Sequence, residues 1–158
     1  MSVDRFVATR TIAASPAEIF AVLSDPARHH STEPGDWVRD AVDSKLITGN
    51  GQLFAMNMHF DRPDVDADYV SHNLVTVYER ESAIAWMTGQ LDDAGNHRAG
   101  GWFWRYDLAP DGDGTEVRLT YDWSATPQEF RDEIGGMPPF AADYLDASLA
   151  SLERAVTS

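Results

Sequence analysis

Two polar residues lie where a strand pattern predicts an inward-facing side chain. Asn73 shares the parity of Val75 and Val77, so its amide could orient a ligand carbonyl or satisfy a neighbouring polar group. Arg10 falls on the inward parity of the first strand, where its guanidinium could bind a carboxylate or an enolate oxygen. A salt bridge at the end of the sheet is the favoured alternative for Arg10. No catalytic residue is assigned.

The sequence offers little for metal or nucleophilic chemistry. Its five histidines form no i, i+4 pair with a glutamate between them, and it has no cysteine. Asp64, Asp66 and Asp68 resemble the start of a calcium loop, but Tyr69 and Val75 stand where such a loop needs glycine and glutamate. We therefore expect no metal and no cofactor. The lack of a convincing inward carboxylate or histidine also weakens an enzymatic role.

Aromatic residues and methionines recur at alternate positions of several strand-like segments. Such side chains usually form a core, because each ring buries a large area. Opposite a helix of alanine, leucine and serine, however, they can also line a cavity, and methionine suits a pocket that takes varied apolar ligands. The predicted ligand-binding residues are Arg10, Phe54, Met56, Met58, Asn73, Val75, Trp86, Trp102, Trp104, Tyr106, Tyr121, Trp123, Leu145 and Leu149.

Charge and composition exclude several classes of function. The 158 residues include 26 acidic and 12 basic ones, which gives a net charge of −14. Binding to nucleic acid or to an anionic membrane surface needs clustered Lys and Arg, and the sequence has none. No apolar run approaches the roughly 20 residues of a membrane span, and the N-terminus lacks the features of a signal peptide. We expect one cytoplasmic domain over residues 1–158, without membrane insertion.

The N-terminal third predicts a strand followed by two short helices. Residues 3–12 alternate between apolar and polar side chains, which is typical of a half-buried strand. Ser15, Pro16 and Glu18 form a capping box with proline at the first helical position. Asp25 and Pro26 end this helix and begin the second.

The middle of the chain predicts an antiparallel meander. Short turns separate its strands, including an Asn50-Gly51 hairpin signal, and an acidic loop follows Phe60. After the meander, Thr126 and Pro127 repeat the cap-and-proline pattern of a helix start. The predicted strands are 37–47, 52–60, 68–79, 84–90, 100–109 and 115–125.

The last residues predict a long helix. Apolar residues from Ala141 to Val156 recur at spacings of three and four and define one helix face. The resulting α+β fold is a curved antiparallel sheet of about seven strands, wrapped around the C-terminal helix. One helix does not fill the concave face, so we expect a small-molecule cavity between sheet and helix.

The order of elements and several motifs resemble the START-like (SRPBCC) superfamily with its helix-grip fold, and within it the polyketide cyclase/dehydrase and lipid-transport group. The residues that carry the resemblance are 10–20, 23–26, 54–58, 73–79, 84–86, 101–108 and 114–123. Residues 29–37, which include His29 and His30, depart from the pattern at the expected mouth of the pocket.

The resemblance implies three functions. The first is binding of a small hydrophobic or aromatic ligand, polyketide-like or lipid-like. The second is a polyketide cyclase or dehydratase that acts by positioning the substrate and moving a proton. The third is a co-chaperone-like domain that binds a protein through its sheet, for which a filled core and an exposed apolar patch would be evidence. A homodimer is left open.

Overall fold

The described strands form one antiparallel sheet of seven strands. The computed structural model describes residues 4–62 and 65–157, with the backbone alone at 61, 62, 65 and 66. Over this part of the chain the strands are β1 (Arg5–Ile12), β2 (Val38–Ala41), β3 (Leu53–Arg62), β4 (Val65–Glu79), β5 (Ala83–Leu91), β6 (His97–Asp111) and β7 (Gly114–Asp122). Each strand from β3 to β7 pairs with the one before it, and β1 returns to the edge beside β7, so the predicted meander is confirmed.

Helices cover one face of this curled sheet. They are α1 (Pro16–Leu23), a 3₁₀ helix (Pro26–Thr32), α2 (Gln128–Glu133) and α3 (Asp143–Thr157). The capping box at α1 forms as predicted, with the Ser15 hydroxyl accepting from the Glu18 amide at 3.1 Å. Leu145, Leu149 and Leu152 of α3 are fully buried, as their helical spacing requires. The helix-grip fold is confirmed.

The second strand is shorter than the predicted 37–47. β2 ends at Ala41, and Asn50-Gly51 forms a turn that does not join two paired strands directly. The intervening chain leaves the sheet because Ile47 is buried in the core and its amide donates to the carbonyl of Ser24 at 2.8 Å. The burial of Ile47 against the end of α1 therefore stabilises this segment more than further strand pairing at the sheet edge would.

Two other predictions need correction. The acidic loop after Phe60 is replaced largely by strand, since β3 runs to Arg62 and β4 begins at Val65; Asp64 lies outside the described residues. Thr126 does not cap α2. The helix begins after Pro127 without a side-chain cap, and the Thr126 hydroxyl is buried with no hydrogen-bond partner among the described residues.

Candidate functional site

A cavity of about 750 Å³ lies between the sheet and the helices. Side chains from β2 to β7, the 3₁₀ helix, α2 and α3 line it, together with the connection between α2 and α3. The volume lies within the roughly 300–1,000 Å³ of small-molecule pockets. The curled sheet and its covering helix therefore leave the open space that the sequence predicts.

Most of the predicted ligand-binding residues line this cavity, because alternate residues of a strand share one face. Trp86 on β5 lies opposite Trp104 on β6, and Phe54 on β3 lies opposite Asn73 on β4. Their part in binding a ligand stays a prediction. The members that line the cavity are Phe54, Met56, Met58, Asn73, Trp86, Trp102, Trp104, Tyr106 and Tyr121.

Arg10 lies outside the cavity. Its Nη2 forms an ion pair with Oε1 of Glu153 on α3 at 2.8 Å, and its side chain is 41% exposed. Because α3 brings an acidic residue over β1, the guanidinium is engaged at the surface of the domain. The structure thus shows the salt bridge that was the alternative interpretation of Arg10.

Four apolar members of the predicted set are also absent from the cavity wall that the described residues form. Val75, Leu145 and Leu149 are at most 1% exposed and pack in the solid part of the core. Trp123 packs edge-on against Phe6, with ring centroids 5.0 Å apart. Strand parity and helix periodicity identify buried residues, but they do not separate a packed core from a cavity wall.

Trp104, which the sequence analysis assigned to the site, belongs to an aromatic cluster whose other members the sequence analysis missed. We call Trp37, Trp104, Phe140 and Tyr144 the roof cluster. Phe140 stacks on Trp104 at 5.7 Å and contacts Tyr144 at 4.8 Å, and Trp37 lies 5.9 Å from Tyr144. Phe140 lies in the connection before α3, outside the helix, so no helical spacing relates it to Tyr144.

Glu33 is a buried carboxylate on the cavity wall, contrary to the expectation that no such group exists. Its Oε1 accepts from the amides of Trp37 and Val38 at 3.1 and 3.3 Å. Its Oε2 accepts from the Gly35 amide at 3.1 Å and from the Tyr144 hydroxyl at 2.7 Å. The carboxylate therefore closes the loop before β2 and joins it to α3.

The tyrosines around the cavity are held in their neutral form. Burial raises the pKa of Tyr106, of Tyr121 and of Tyr144 well above the usual range. At Tyr144 the negative charge of Glu33 raises the pKa further. These phenols can exchange hydrogen bonds with a ligand, but none of them is an anionic base near neutral pH.

His29 is a second buried titratable group that the sequence analysis did not place in the cavity. Its ring stacks on Trp86 at 5.1 Å and meets Phe54 edge-on at 5.4 Å. Burial lowers the pKa of His29 to about 4, although the Leu23 carbonyl and the charge of Asp25 act in the opposite direction. The imidazole is therefore neutral at physiological pH.

Asn73 is the centre of a polar network on the sheet. Its Oδ1 accepts from the Thr88 hydroxyl at 2.8 Å, and its Nδ2 lies 3.3 Å from the Ser71 hydroxyl and from the Phe54 carbonyl. The amide thus satisfies neighbouring groups, and Ser71 and Thr88 line the cavity beside Asn73.

The described ranges contain neither a group of candidate metal ligands nor a membrane-spanning helix. No three His, Cys, Asp or Glu residues within 4–62 and 65–157 are grouped so that they could hold a metal ion. Of the helices in these ranges, none has the length and apolar character to span a bilayer.

Comparison with known families gives a match over nearly the whole chain. Residues 4–157 match the family model described as polyketide cyclase/dehydrase and lipid transport. No curated protein matches the sequence.

Solved structures resemble this fold at low sequence identity. Protein NE0264 from Nitrosomonas europaea is 14% identical, with 98% of this chain and 95% of that chain covered and a TM-score of 0.70. Protein CV1439 from Chromobacterium violaceum is 15% identical, with 99% of each chain covered and a TM-score of 0.68. The Aha1 dimer from Colwellia psychrerythraea is 15% identical, with 98% and 96% covered and a TM-score of 0.58. These likenesses concern the fold alone.

Proposed function

The chain belongs to the polyketide cyclase/dehydrase and lipid transport family, and on that premise we propose that its cavity binds a small, neutral, largely aromatic molecule. The observation that carries this proposal is the cavity itself, about 750 Å³ of space with a mainly apolar wall that is rich in aromatic and methionine side chains. Binding of a polyketide-like or lipid-like guest needs only this space and its apolar surface.

The charges around the cavity favour a neutral ligand. Glu33 and Glu133 contribute carboxylates to the wall. Among the described residues of the wall, Arg98 carries the positive charge. Its guanidinium forms an ion pair with Asp92 at 2.9 Å, and its side chain is 72% exposed. A buried carboxylate on the ligand would lose its hydration without gaining a cationic partner inside, which is costly.

A thermal-shift screen tests the proposal directly. The panel contains fatty acids, steroids and neutral aromatic polyketides. Native mass spectrometry records the stoichiometry of each complex. A ligand at 100 times its Kd stabilises the native state by about 2.7 kcal/mol, which raises Tm by roughly 5–10 °C for a domain of this size. Absence of any shift or complex across the panel would overturn the proposal.

A matched pair of ligands tests the charge argument. 2-Naphthol and 2-naphthoate share one ring system, and the second carries a carboxylate. We expect the neutral naphthol to bind at least 10-fold more tightly than the acid. Equal affinities would mean that the cavity holds an anion despite its acidic wall. The same native spectra test the homodimer, which stays a prediction.

The cyclase or dehydratase function is the second candidate, because His29 and Glu33 place a base and a carboxylate on the cavity wall. Incubation with a linear β-polyketone, followed by mass spectrometry, would reveal loss of water as a ring forms. Turnover abolished by His29→Phe with binding retained would support an enzyme. Binding without turnover would leave ligand binding as the function. The protein-interaction alternative required a filled core and is not advanced.

A further inference from the structure

His29 is held in the cavity wall by three contacts that fix its ring. The ring is 5% exposed and stacks on Trp86 with an interplanar angle of 19°. Phe54 meets it edge-on. At the far side Nε2 lies 2.7 Å from the carbonyl oxygen of Leu23, at the end of α1. The ring is thus clamped, and its orientation is set before any ligand enters.

The contact with Leu23 also fixes the tautomer. A carbonyl oxygen only accepts hydrogen bonds, so Nε2 carries the proton of the neutral imidazole and Nδ1 is a bare acceptor. Nδ1 forms no hydrogen bond with any residue that the structure describes. Because His29 lines the cavity, Nδ1 is the polar atom of its ring that remains for a guest.

The chemistry of Nδ1 selects the group that would meet it. A neutral imidazole nitrogen accepts from a donor, and a buried polar atom left without a partner costs about 1–3 kcal/mol. The ring faces of Trp86 and Phe54 beside it favour an aromatic body over a flexible chain. A neutral aromatic ligand offers such a donor most simply as a hydroxyl group.

We propose that Nδ1 of His29 accepts a hydrogen bond from a phenolic or enolic hydroxyl of a neutral aromatic ligand, and so makes the cavity selective for hydroxylated over non-donor guests. This assignment rests on the proposed binding function and adds the chemical group that the ligand carries.

The test uses two probes and three forms of the full chain. 2-Naphthol donates a hydrogen bond, whereas 2-methoxynaphthalene has the same ring system and no donor. Kd is measured by calorimetry for the wild type, for His29→Phe and for the control His30→Phe, whose side chain is exposed on the same 3₁₀ helix. We expect wild type and His30→Phe to prefer naphthol by about 5- to 10-fold, in line with one hydrogen bond. In His29→Phe the naphthol affinity falls by that factor and the preference disappears.

A wild-type measurement protects the test against a variant that fails to fold. On addition of 2-naphthol, the ¹⁵N signal of His29 Nδ1 moves upfield towards a hydrogen-bonded acceptor while that of Nε2 stays. Tight binding of both probes to wild type with equal affinity, or a preference that survives in folded His29→Phe, would overturn the assignment alone. Failure of both probes to bind wild type would overturn the proposed function with it.

Discussion

Trp104 is the residue whose contacts most directly link the cavity wall to the aromatic core. It lies 4.4 Å from Tyr121 and stacks on Phe140. We expect Trp104→Ala to weaken binding of an aromatic ligand by about 10-fold, since one aromatic contact contributes roughly 0.5–1.5 kcal/mol. Calorimetric titration measures the change in Kd.

Trp123 provides the matched control for this substitution. It is 3% exposed and packs on Phe6 and Tyr121, outside the cavity wall. Trp123→Ala should lower the free energy of unfolding by about 3–5 kcal/mol, as expected for a buried tryptophan, yet leave Kd within about twofold in the folded protein at low temperature. An unchanged Kd in folded Trp104→Ala would remove Trp104 from the binding site.

Glu33 acts on the structure of the site through four hydrogen bonds. Glu33→Gln replaces one carboxylate oxygen by an amide that faces N–H or O–H donors, so we expect a loss of about 3 kcal/mol in the free energy of unfolding. Tyr144→Phe removes one of the four bonds and should cost about 1 kcal/mol. Urea unfolding measures both, with the exposed surface substitution Glu129→Gln as control. Equal effects of Glu33→Gln and Glu129→Gln would contradict the bracing role of Glu33.

The sequence identified the residues of the sheet far better than those of the roof and loop. A period of two assigns a face to Phe54, Met56 and Trp104 without knowledge of any neighbour. His29 and Glu33 lie in a 3₁₀ helix and a loop, which have no such period, so their burial depends on long-range contacts with Trp86 and Tyr144. Arg10 shows the converse limit, because its partner Glu153 lies 143 residues away in the chain.

At the scale of elements, two helix starts with the same sequence pattern differ in structure. At α1 the Ser15 hydroxyl caps the helix, while at α2 the Thr126 hydroxyl is buried without a partner in the part of the chain that the structure describes. The Thr126 amide donates to the carbonyl of Trp123, and its Cα packs beside the backbone of Gly101. Tertiary packing therefore turns Thr126 away from the helix end, which a local pattern cannot indicate.

The two helix starts give opposite predictions. Ser15→Ala removes a cap and should destabilise the protein by about 1 kcal/mol. Thr126→Val replaces an orphaned hydroxyl by a methyl group of similar shape and should stabilise it by about 1 kcal/mol. Chemical denaturation of both variants under one set of conditions measures the two shifts. A destabilising Thr126→Val would mean that this hydroxyl has a partner in solution.

At the scale of the whole molecule, the helix-grip architecture follows from the order and length of the elements, but the size of the cavity does not. A helix of small and leucine side chains opposite aromatic strands predicts a gap. Its depth depends on where the connection between α2 and α3 folds, and the roof cluster is assembled there from three separate parts of the chain.

The acid stability of the whole domain depends on His29. Its pKa is about 4 in the folded state, against 6.5 for an unperturbed histidine, so the unfolded chain binds more protons between these values. Stability from the neutral ring is complete above pH 6.5 and is lost as the pH falls towards 4, in total about 3 kcal/mol. Hydrogen bonds from Arg39 and from the Asn96 backbone lower the carboxyl pKa values of Asp36 and Asp92, respectively. The stability that these two carboxylates contribute is lost only below their ordinary pKa of 3.8.

His29→Phe isolates this contribution from the rest of the charge. Acidification also relieves the repulsion within a chain of net charge −14, and that effect is common to wild type and variant. We therefore expect the free energy of unfolding of wild type to fall by about 3 kcal/mol more than that of His29→Phe between pH 7 and pH 4. Urea titrations at half-unit pH intervals measure the difference. Parallel curves for the two proteins would show that His29 is protonated equally in the folded and unfolded states. The assignment of a neutral imidazole to the cavity wall would then be wrong.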